Sequence, residues 1–267
     1  MKMENEYAHF IRSEELIFKH AKGVRDIVGK EFHTFHEIFL FLDGEAEFTS
    51  DRLKIKLDPW TLVVIPKETF HQFTCKRDDK YRRCVLNFNK VAELDHVIEQ
   101  KMSTVCAIKL PHELYSHFTE VFDAAQNAPE ADESKVQAKA LLARVLCRLD
   151  TEKNGDVPAG ELHPLVGSAV RYIEEHIKEP IGVEDVAQAL HVSESYLMKL
   201  FKRDMNIPVY RYITEKRLIV AAREIENGVP ATKAAELAGF GDYSGFYKLY
   251  KKMFGVSPSA ASKTKLI

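Results

Sequence analysis

Residues 187–192 (AQALHV) and residues 235–240 (AELAGF) are near copies of each other, separated by 48 positions. After one additional residue the similarity continues, so that residues 197–203 (LMKLFKR) correspond to residues 246–252 (FYKLYKK). Self-similarity at a fixed spacing indicates one structural unit that occurs twice. The repeat therefore predicts two related helical units in the C-terminal part of the chain.

Each copy has the features of two short helices joined by a tight turn. A small residue, Ala187 or Ala235, allows one helix to cross closely over the next. Four positions later, His191 or Gly239 occupies the turn, where a positive φ is expected. Both copies are therefore predicted to be helix-turn-helix units. The expected N-caps of the second helices are Ser193 and Asp242, and the expected left-handed C-caps are Asn206 and Gly255.

The second helix of each unit is predicted to have one buried face and one exposed face. Apolar residues recur at i, i+3 and i+4, namely Leu197, Leu200 and Phe201 in one copy and Phe246, Leu249 and Tyr250 in the other. The opposite face carries lysines, hydroxyls and aromatic rings, which suit the major groove of double-stranded DNA. The candidate DNA-binding residues are Ser195, Tyr196, Met198, Lys199, Lys202, Arg203, Tyr243, Ser244, Tyr247, Lys248 and Lys251.

The segment between the copies predicts a single long helix. It begins at Pro208 and ends at Asn227, before Gly228, which is the usual order of proline and glycine around a helix. Twenty residues at ~1.5 Å each span roughly 30 Å, and adjacent major-groove sites lie about 34 Å apart. The alternative is a plain helical bundle whose lysines are merely solvated. Two copies with matching caps favour the DNA-binding interpretation.

The N-terminal part has the pattern of short strands. Residues 36–42 and 61–65 are rich in β-branched and aromatic types, and residues 53–57 alternate between apolar and charged. Helical spacing begins near residue 112. We therefore expect an antiparallel barrel or sandwich at 1–110, a helical region at 111–150, a polar linker at 151–163 and an all-α domain at 164–267.

Charge is distributed unevenly over a chain whose net charge is only -2. Residues 1–162 hold 23 Lys+Arg and 28 Asp+Glu, whereas residues 163–267 hold 15 and 12. A basic C-terminal part agrees with a nucleic-acid partner. No apolar run approaches the length of a membrane span or a signal peptide, and the four cysteines form no CxxC pair. These features predict a cytoplasmic protein with reduced thiols and no membrane partner.

Residues 181–261 resemble the DNA-binding domain of the AraC/XylS-type transcription regulators. The resemblance is carried by residues 192–202 (VSESYLMKLFK), 239–246 (GFGDYSGF) and 250–258 (YKKMFGVSP). The sequence departs from the family pattern at three positions: Gly182 replaces a capping hydroxyl residue, His191 a turn glycine, and Ala234 a branched apolar residue. The last departure predicts a thinner core in the second unit and a weaker second DNA contact.

The resemblance implies a multidomain α and β fold. A cupin-like antiparallel β-barrel and two helices would precede an all-α domain of two helix-turn-helix units joined by a long helix. It also implies a regulator without enzymatic activity that binds double-stranded DNA and is controlled by a small organic effector, for example a sugar. Such a protein is expected to form a homodimer through residues 111–150, and to contact RNA polymerase if it is an activator.

Cupin-like spacing within the barrel gives the candidate effector-binding residues. Glu37 precedes Gly44 by seven positions and follows His33 by four, and Pro66 precedes His71. Strand alternation would place residues 31, 33, 37, 39 and 41 on one inward face. The candidates are Glu31, His33, Glu37, Phe39 and His71.

Related metal cupins hold an ion with three histidines and a glutamate, but here Glu31 occupies the first histidine position. The resemblance to regulators therefore favours an organic effector and no cofactor. Glu31, His33, Glu37 and His71 would be the ligands if a metal did bind. The alternative function is a metal-dependent cupin enzyme fused to a DNA-binding or adaptor domain. Trp60 either stacks on a sugar or, more commonly for such a residue, belongs to the core.

Overall fold

The computed structural model describes residues 7–23, 31–75, 80–149 and 162–261. The chain divides into two compact units, Met1–Glu161 and Leu162–Ile267. The predicted linker, residues 151–163, lies outside the described residues except for its last two positions. The predicted fold class, antiparallel sheets followed by an all-α part, is confirmed.

Within the described residues of the N-terminal unit, nine strands form two antiparallel sheets. A six-stranded sheet has the order β1-β2-β8-β3-β6-β9, and a three-stranded sheet has the order β5-β4-β7. The strands are β1 (Tyr7–Arg12), β2 (Leu16–Lys22), β3 (His36–Asp43), β4 (Ala46–Ser50), β5 (Lys54–Leu57), β6 (Thr61–Ile65), β7 (His71–Cys75), β8 (Arg82–Phe88) and β9 (Cys106–Lys109).

The central strands of the larger sheet are buried on both faces, which explains their continuous apolar runs. On one face, Phe39 and Val63 pack with Phe48 of the smaller sheet. On the other face, Ile38 and Leu40 pack beneath helices. These helices are α1 (Asp95–Lys101), α2 (Tyr115–Asn127) and α3 (Asp132–Arg148), with a short 3₁₀ turn at His112–Leu114.

The apolar faces of α2 and α3 are covered within the same unit. Phe118, Leu141 and Val145 belong to the core beneath the large sheet. Because these faces are buried against the sheet, they are not available for dimerisation through residues 111–150. On α3 the large apolar side chain left outside is Val136, which is 66% exposed. Dimerisation through this region stays a prediction.

Trp60 belongs to the core rather than to a ligand site. Its ring stacks on Tyr115 at the start of α2, with 3.9 Å between centroids, and it packs against the core beneath the helices. The possibility that Trp60 stacks on a sugar is therefore not supported by its position, because the face of its ring is already occupied.

Residues 162–261, the described part of the C-terminal unit, contain seven helices, and their order matches the predicted repeat. The first helix-turn-helix unit is α5–α6, the second is α8–α9, and α7 joins them. The helices are α4 (Pro164–His176), α5 (Val183–Ala189), α6 (Glu194–Met205), α7 (Val209–Glu226), α8 (Ala231–Leu237), α9 (Tyr243–Phe254) and α10 (Pro258–Ala261). Among the described helices, none is both long and apolar enough to cross a bilayer.

The predicted turn and cap residues adopt the expected conformations. His191 and Gly239 have φ values of 56° and 81°. Asn206 and Gly255 end α6 and α9 in the left-handed region, with φ values of 53° and 74°. In the first unit, Ser193 accepts a hydrogen bond from the Tyr196 backbone N–H at 3.3 Å. These local predictions are confirmed.

The prediction that Leu249 is buried is wrong. Phe246 and Tyr250 are fully buried, but Leu249 is 39% exposed. Its counterpart Leu200 is 5% exposed, because α4 packs on α6 in the first unit. In the second unit α9 packs on α7, α8 and α10, and this arrangement leaves the Leu249 side open.

His36, the first residue of β3, points away from Glu37 and is buried on the opposite face of the sheet. It is 8% exposed, and its ring stacks on Phe88. Its Nδ1 atom accepts a hydrogen bond from the Lys67 backbone N–H at 3.2 Å. Burial, together with the charge of Lys67, lowers the pKa of His36 from 6.5 to about 4. Its imidazole is therefore neutral in the folded protein at neutral pH.

We predict that acid destabilises the N-terminal unit through His36. Because the folded pKa lies below the unfolded value, this contribution is present above pH 6.5 and is lost as the pH falls toward about 4. Urea unfolding followed by the fluorescence of the single tryptophan, Trp60, reports on this unit. His36→Gln should flatten the pH dependence in that window, whereas His96→Gln, at an exposed histidine, should not. An unchanged slope in His36→Gln would contradict this assignment.

Candidate nucleic-acid interface and ligand cavity

All eleven candidate DNA-binding residues are exposed on α6 and α9. Three pairs of equivalent positions carry identical residues: Ser195 and Ser244, Lys199 and Lys248, and Lys202 and Lys251. The faces also differ, because the exposed aromatic rings of α9 are Tyr243 and Tyr247, whereas α6 exposes Tyr196 and Met198. The two helices therefore present one shared pattern of hydroxyl and ammonium groups within different surroundings.

The N-terminal turns of both helices are held by side-chain caps. Asp242 accepts hydrogen bonds from the backbone N–H groups of Ser244 and Gly245, at 3.1 Å and 2.6 Å. A Cβ atom at Gly245 would lie 2.8 Å from the Asp242 carboxylate, so the absence of a side chain there permits the cap. Caps of this kind fix where the first exposed residues of a helix point.

Arg203 has a partner that ties it to the start of the C-terminal unit. Its Nε atom donates to Asp204 at 2.6 Å, and Asp204 accepts from the backbone N–H of His163 at 2.8 Å. The other candidate residues on α6 include Lys199 and Lys202, which form no such ion pair with any described residue. Contact of Arg203 with DNA remains a prediction, and its observed role is structural.

A cavity of about 440 Å³ opens on one face of the large sheet. Its floor follows the cross-strand pairs of β1, β2, β8 and β3, so that Lys19 and Phe39 both lie opposite Val85. Of the predicted effector-binding residues, Glu31, Glu37 and Phe39 line it, and His33 and His71 do not. The other lining residues are Phe10, Arg12, Ile17, Lys19, Phe73, Cys75, Tyr81, Arg83, Val85 and Asn87.

The basic residues of the cavity were mostly missed by the sequence interpretation. Arg12, Lys19 and Arg83 come from β1, β2 and β8. Alternation could have shown which residues of each strand share a face, but the strand order β1-β2-β8-β3, which brings them beside β3, is set by the fold. The Arg83 guanidinium donates to the carbonyl of Gly23 at 2.8 Å and lies over the Tyr81 ring. The Arg12 guanidinium lies over the Phe10 ring.

His33, Glu37 and His71 converge at the edge of this cavity. One nitrogen or oxygen atom from each lies within 4.8 Å of the others. Nε2 of His33 is 3.3 Å from the Glu37 carboxylate, and Nε2 of His71 is 3.9 Å from that of Glu31. Strand alternation was the reason to expect His33 and Glu37 on one face, but β3 begins only at His36. Alternation along a strand therefore does not explain why these residues lie together. Glu31 instead forms an isolated backbone bridge with His71.

At Glu37 and His71, burial and the neighbouring groups shift the pKa in opposite directions. Burial disfavours the Glu37 carboxylate, but the hydrogen bond from His33 and the charges of nearby basic groups, Arg83 among them, outweigh it, so the pKa of Glu37 lies below its usual value. Burial lowers the pKa of His71 despite the adjacent Glu37 carboxylate. At neutral pH the cluster therefore contains an ionised glutamate and an imidazole that resists protonation.

Residues 186–264 match a family model described as "Helix-turn-helix domain". The C-terminal unit is an AraC-type helix-turn-helix domain. This confirms the resemblance to AraC/XylS-type regulators carried by residues 181–261. The match and the two capped units of the structure cover the same part of the chain.

Similar proteins include regulators whose length this chain mostly spans. The chain is 24% identical to the "Probable transcriptional regulator LumQ" of Photobacterium leiognathi, over 85% of this chain and 89% of that protein. It is 24% identical to the "Msm operon regulatory protein" of Streptococcus mutans, over 85% and 83%. The solved C-terminal domain of AraT, a response regulator from Geobacillus stearothermophilus, is 31% identical with a TM-score of 0.38, over 40% of this chain and 89% of that one.

Arg217 joins the two halves of the AraC-type domain. It lies on α7 and donates to the backbone carbonyls of Ile177, Glu179 and Ile181, at 3.2, 2.6 and 3.1 Å. These carbonyls follow α4 and precede α5, so Arg217 holds the entry to the first unit. Its guanidinium also lies beside the turn of the second unit, where a Cβ atom on Gly239 would be 3.0 Å from Nε.

We predict that Gly239→Ala destabilises the AraC-type domain. The left-handed conformation alone costs a side chain about 1–2 kcal/mol, and the added methyl would also displace Arg217. Gly241→Ala is the matched control, since its Cβ meets nothing within 4 Å, and it should stay within about 0.5 kcal/mol of the parent. Urea unfolding followed by far-ultraviolet circular dichroism measures both. Equal costs at the two positions would refute the role of this turn.

Proposed function

We propose that this protein is a sequence-specific DNA-binding transcription regulator, controlled by a small organic effector bound in its N-terminal unit. The observation that carries the DNA-binding half of this proposal is the pair of capped helices α6 and α9. Within an AraC-type domain, both expose the same pattern of one serine and two lysines. The regulatory names of LumQ and the Msm operon protein support a role in transcription.

The two recognition helices α6 and α9 are proposed to enter successive major grooves. Helix α7 has 18 residues, or about 27 Å at ~1.5 Å per residue, and packs against both units. This length is of the same order as the roughly 34 Å of one helical turn of DNA. The lysines supply salt-dependent phosphate contacts, and Ser195, Met198, Lys199, Tyr243 and Lys248 are the proposed base-reading residues.

The effector is proposed to bind in the cavity of the large sheet. A volume of about 440 Å³ falls within the usual range of small-molecule sites. Arg12, Lys19 and Arg83 supply positive charge, while Asn87 and Glu37 supply further polar groups. This lining favours a polar effector with a carboxylate and hydroxyl groups, such as a sugar acid, over a neutral apolar molecule.

Three further properties belong to the same proposal. The protein is proposed to act in the cytoplasm, where it can reach promoter DNA. It forms a homodimer, with the outer surfaces of α2 and α3 as the candidate contact. If it activates transcription, it also contacts RNA polymerase. The comparison with named transcription regulators supports a role other than catalysis.

We predict that Lys199→Ala and Lys248→Ala each weaken specific DNA binding. A lost base contact costs about 1–3 kcal/mol, and a lost phosphate contact lowers the salt slope of binding by about 1. The binding site is first obtained by sequencing DNA that co-purifies with the protein. Affinity is then measured over a range of salt. Lys90→Ala removes one charge from an exposed position in the other unit and should leave both quantities unchanged. Unaltered binding in the two helix variants would contradict the assignment.

We also predict that glucuronate stabilises the N-terminal unit more than glucose does. The two sugars share a ring and differ in a carboxylate, which Arg12, Lys19 and Arg83 can bind. Trp60 fluorescence during thermal unfolding gives the shift in Tm. Arg12→Gln should reduce the difference, and Arg144→Gln, at an exposed position on α3, should not. Equal shifts, or no shift with either sugar, would argue against an anionic sugar-type effector.

A further inference from the structure

Asp204 is a buried acidic residue in the last turn of recognition helix α6. Its side chain is 8% exposed, and α6 ends one residue later, at Met205. The helix dipole disfavours an acidic side chain at the C-terminal end of a helix, and burial of a carboxylate adds a further cost. Asp204 therefore does not stabilise α6 itself, and the contacts that it makes beyond the helix backbone offset these costs.

The two oxygens of the Asp204 carboxylate have different partners. Oδ2 accepts a hydrogen bond at 2.8 Å from the backbone N–H of His163, which is the N-cap of α4. His163 and the buried Leu162 form the entry segment (residues 162–163), through which the chain enters the AraC-type domain. Oδ1 accepts from Nε of Arg203 at 2.6 Å. One carboxylate thus joins the entry segment to an arginine of the recognition helix.

Arg203 keeps most of its side chain exposed while it holds this carboxylate. The side chain is 62% exposed, and Nε supplies only one of the five N–H donors of a guanidinium. Lys199 and Tyr196 lie four and seven residues earlier, so Arg203 shares their exposed face. Ser195 is eight residues away, or ~12 Å along the helix, which is about the width of the major groove. With Ser195 at the bases, Arg203 would reach the phosphates that border the groove.

The second helix-turn-helix unit has different residues at the equivalent positions. Residues 203 and 204 correspond to Lys252 and Met253 in the repeat. Met253 packs against the apolar core of the second unit, and a methionine side chain cannot form an ion pair with a neighbouring cation. The arrangement of carboxylate and arginine is therefore a property of the first unit, and not a requirement of the helix-turn-helix fold.

We propose that Asp204 positions Arg203 to bind a phosphate of DNA, and that the entry segment controls this contact through the His163 N–H. While His163 donates to Oδ2, the carboxylate is fixed and holds the guanidinium in place. A side chain that is already held loses less conformational entropy when it binds. Withdrawal of His163 would deprive the buried carboxylate of a donor, and the carboxylate would then no longer fix Arg203. This inference rests on the proposed DNA-binding function.

The arrangement gives the N-terminal unit a means of acting on one recognition helix and not on the other. The N-terminal unit is joined to the domain by the chain that precedes residue 162. An effector-dependent displacement of that chain would act first on the His163 N–H, and through Asp204 on Arg203, whereas α9 would keep its contacts. Coupling of this kind is reciprocal, so a phosphate bound at Arg203 would stabilise the docked entry segment by the same factor.

The test measures the affinity of the full-length protein for the DNA site that co-purifies with it, over a range of salt. Arg203→Gln and Asp204→Asn should each weaken binding about tenfold, as expected for loss of one charge-assisted contact, and should lower the salt slope by about 1. Removal of a negative charge near DNA would by itself strengthen binding, so weaker binding by Asp204→Asn indicates positioning. The double variant should bind as Arg203→Gln does, because both changes remove the same contact.

His163→Pro tests the entry segment. It removes the N–H, and the φ of His163, −51°, is one that proline adopts. The comparison is with His163→Ala, which keeps the N–H, since both variants lack the imidazole that accepts from the Leu165 N–H. His163→Pro should bind DNA about tenfold more weakly than His163→Ala, with a salt slope lower by about 1. Far-ultraviolet circular dichroism verifies that each variant is folded.

The outcomes separate this proposal from the function on which it rests. Unchanged or stronger binding by folded Asp204→Asn would overturn the positioning role. Equal binding by His163→Pro and His163→Ala would overturn control by the entry segment. In both cases the parent protein still binds its site, so the DNA-binding function stands. Absence of specific binding by the parent would overturn that function and this proposal together.

Discussion

Helix α7 contributes side chains to the cores of both helix-turn-helix units, and the structure of the C-terminal domain depends on this constraint. Its first half contributes Val209 and Tyr212 to the core of the first unit, where Tyr212 packs edge-on against Phe201 of α6. Its second half contributes Leu218 and Ile225 to the core of the second unit. Because one helix belongs to both cores, it cannot rotate to suit one unit without disturbing the other. The buried sides of α6 and α9 are thereby fixed, and the serine and lysine faces opposite them follow from this packing.

In the N-terminal unit, polar groups have to be accommodated within a sheet that is apolar on both faces. Alternation along β3 puts Glu37 on the cavity face and His36 beneath the helices. Each polar group has its own compensation: Nδ1 of His36 accepts a hydrogen bond from a backbone N–H, and the Glu37 carboxylate is stabilised by a hydrogen bond from His33 and by the charge of Arg83. Since buried polar groups are costly without partners, each of these side chains depends on the partner that the surrounding fold supplies.

Much of the C-terminal domain could be predicted from local sequence, whereas features that depend on tertiary neighbours could not. Caps and turns such as Ser193, His191 and Gly255 depend on a few adjacent residues, and all three behave as expected. Leu249 was assigned to the core because its spacing is correct, but no sequence pattern shows that α4 covers only the first unit. Likewise, the apolar faces of α2 and α3 could be recognised, but not the surface they cover. The basic side of the cavity depends on the pairing of β2 with β8 and of β8 with β3, which local sequence does not contain.

The two helix-turn-helix units are similar in form but unequal in the source of their stability. The second core contains Ala221, Ala222, Ala234, Ala235 and Ala238, so Ala234 is one of several small residues rather than an isolated loss. Small side chains allow close helix contacts but bury less apolar area, at about 25 cal/mol for each Å². The first core instead includes Leu197, Leu200, Phe201 and Ile213. The large buried side chains of the second core come from α9 and α7, namely Phe246, Tyr250, Leu218 and Ile225, so the second unit depends on α7 for much of its apolar contact.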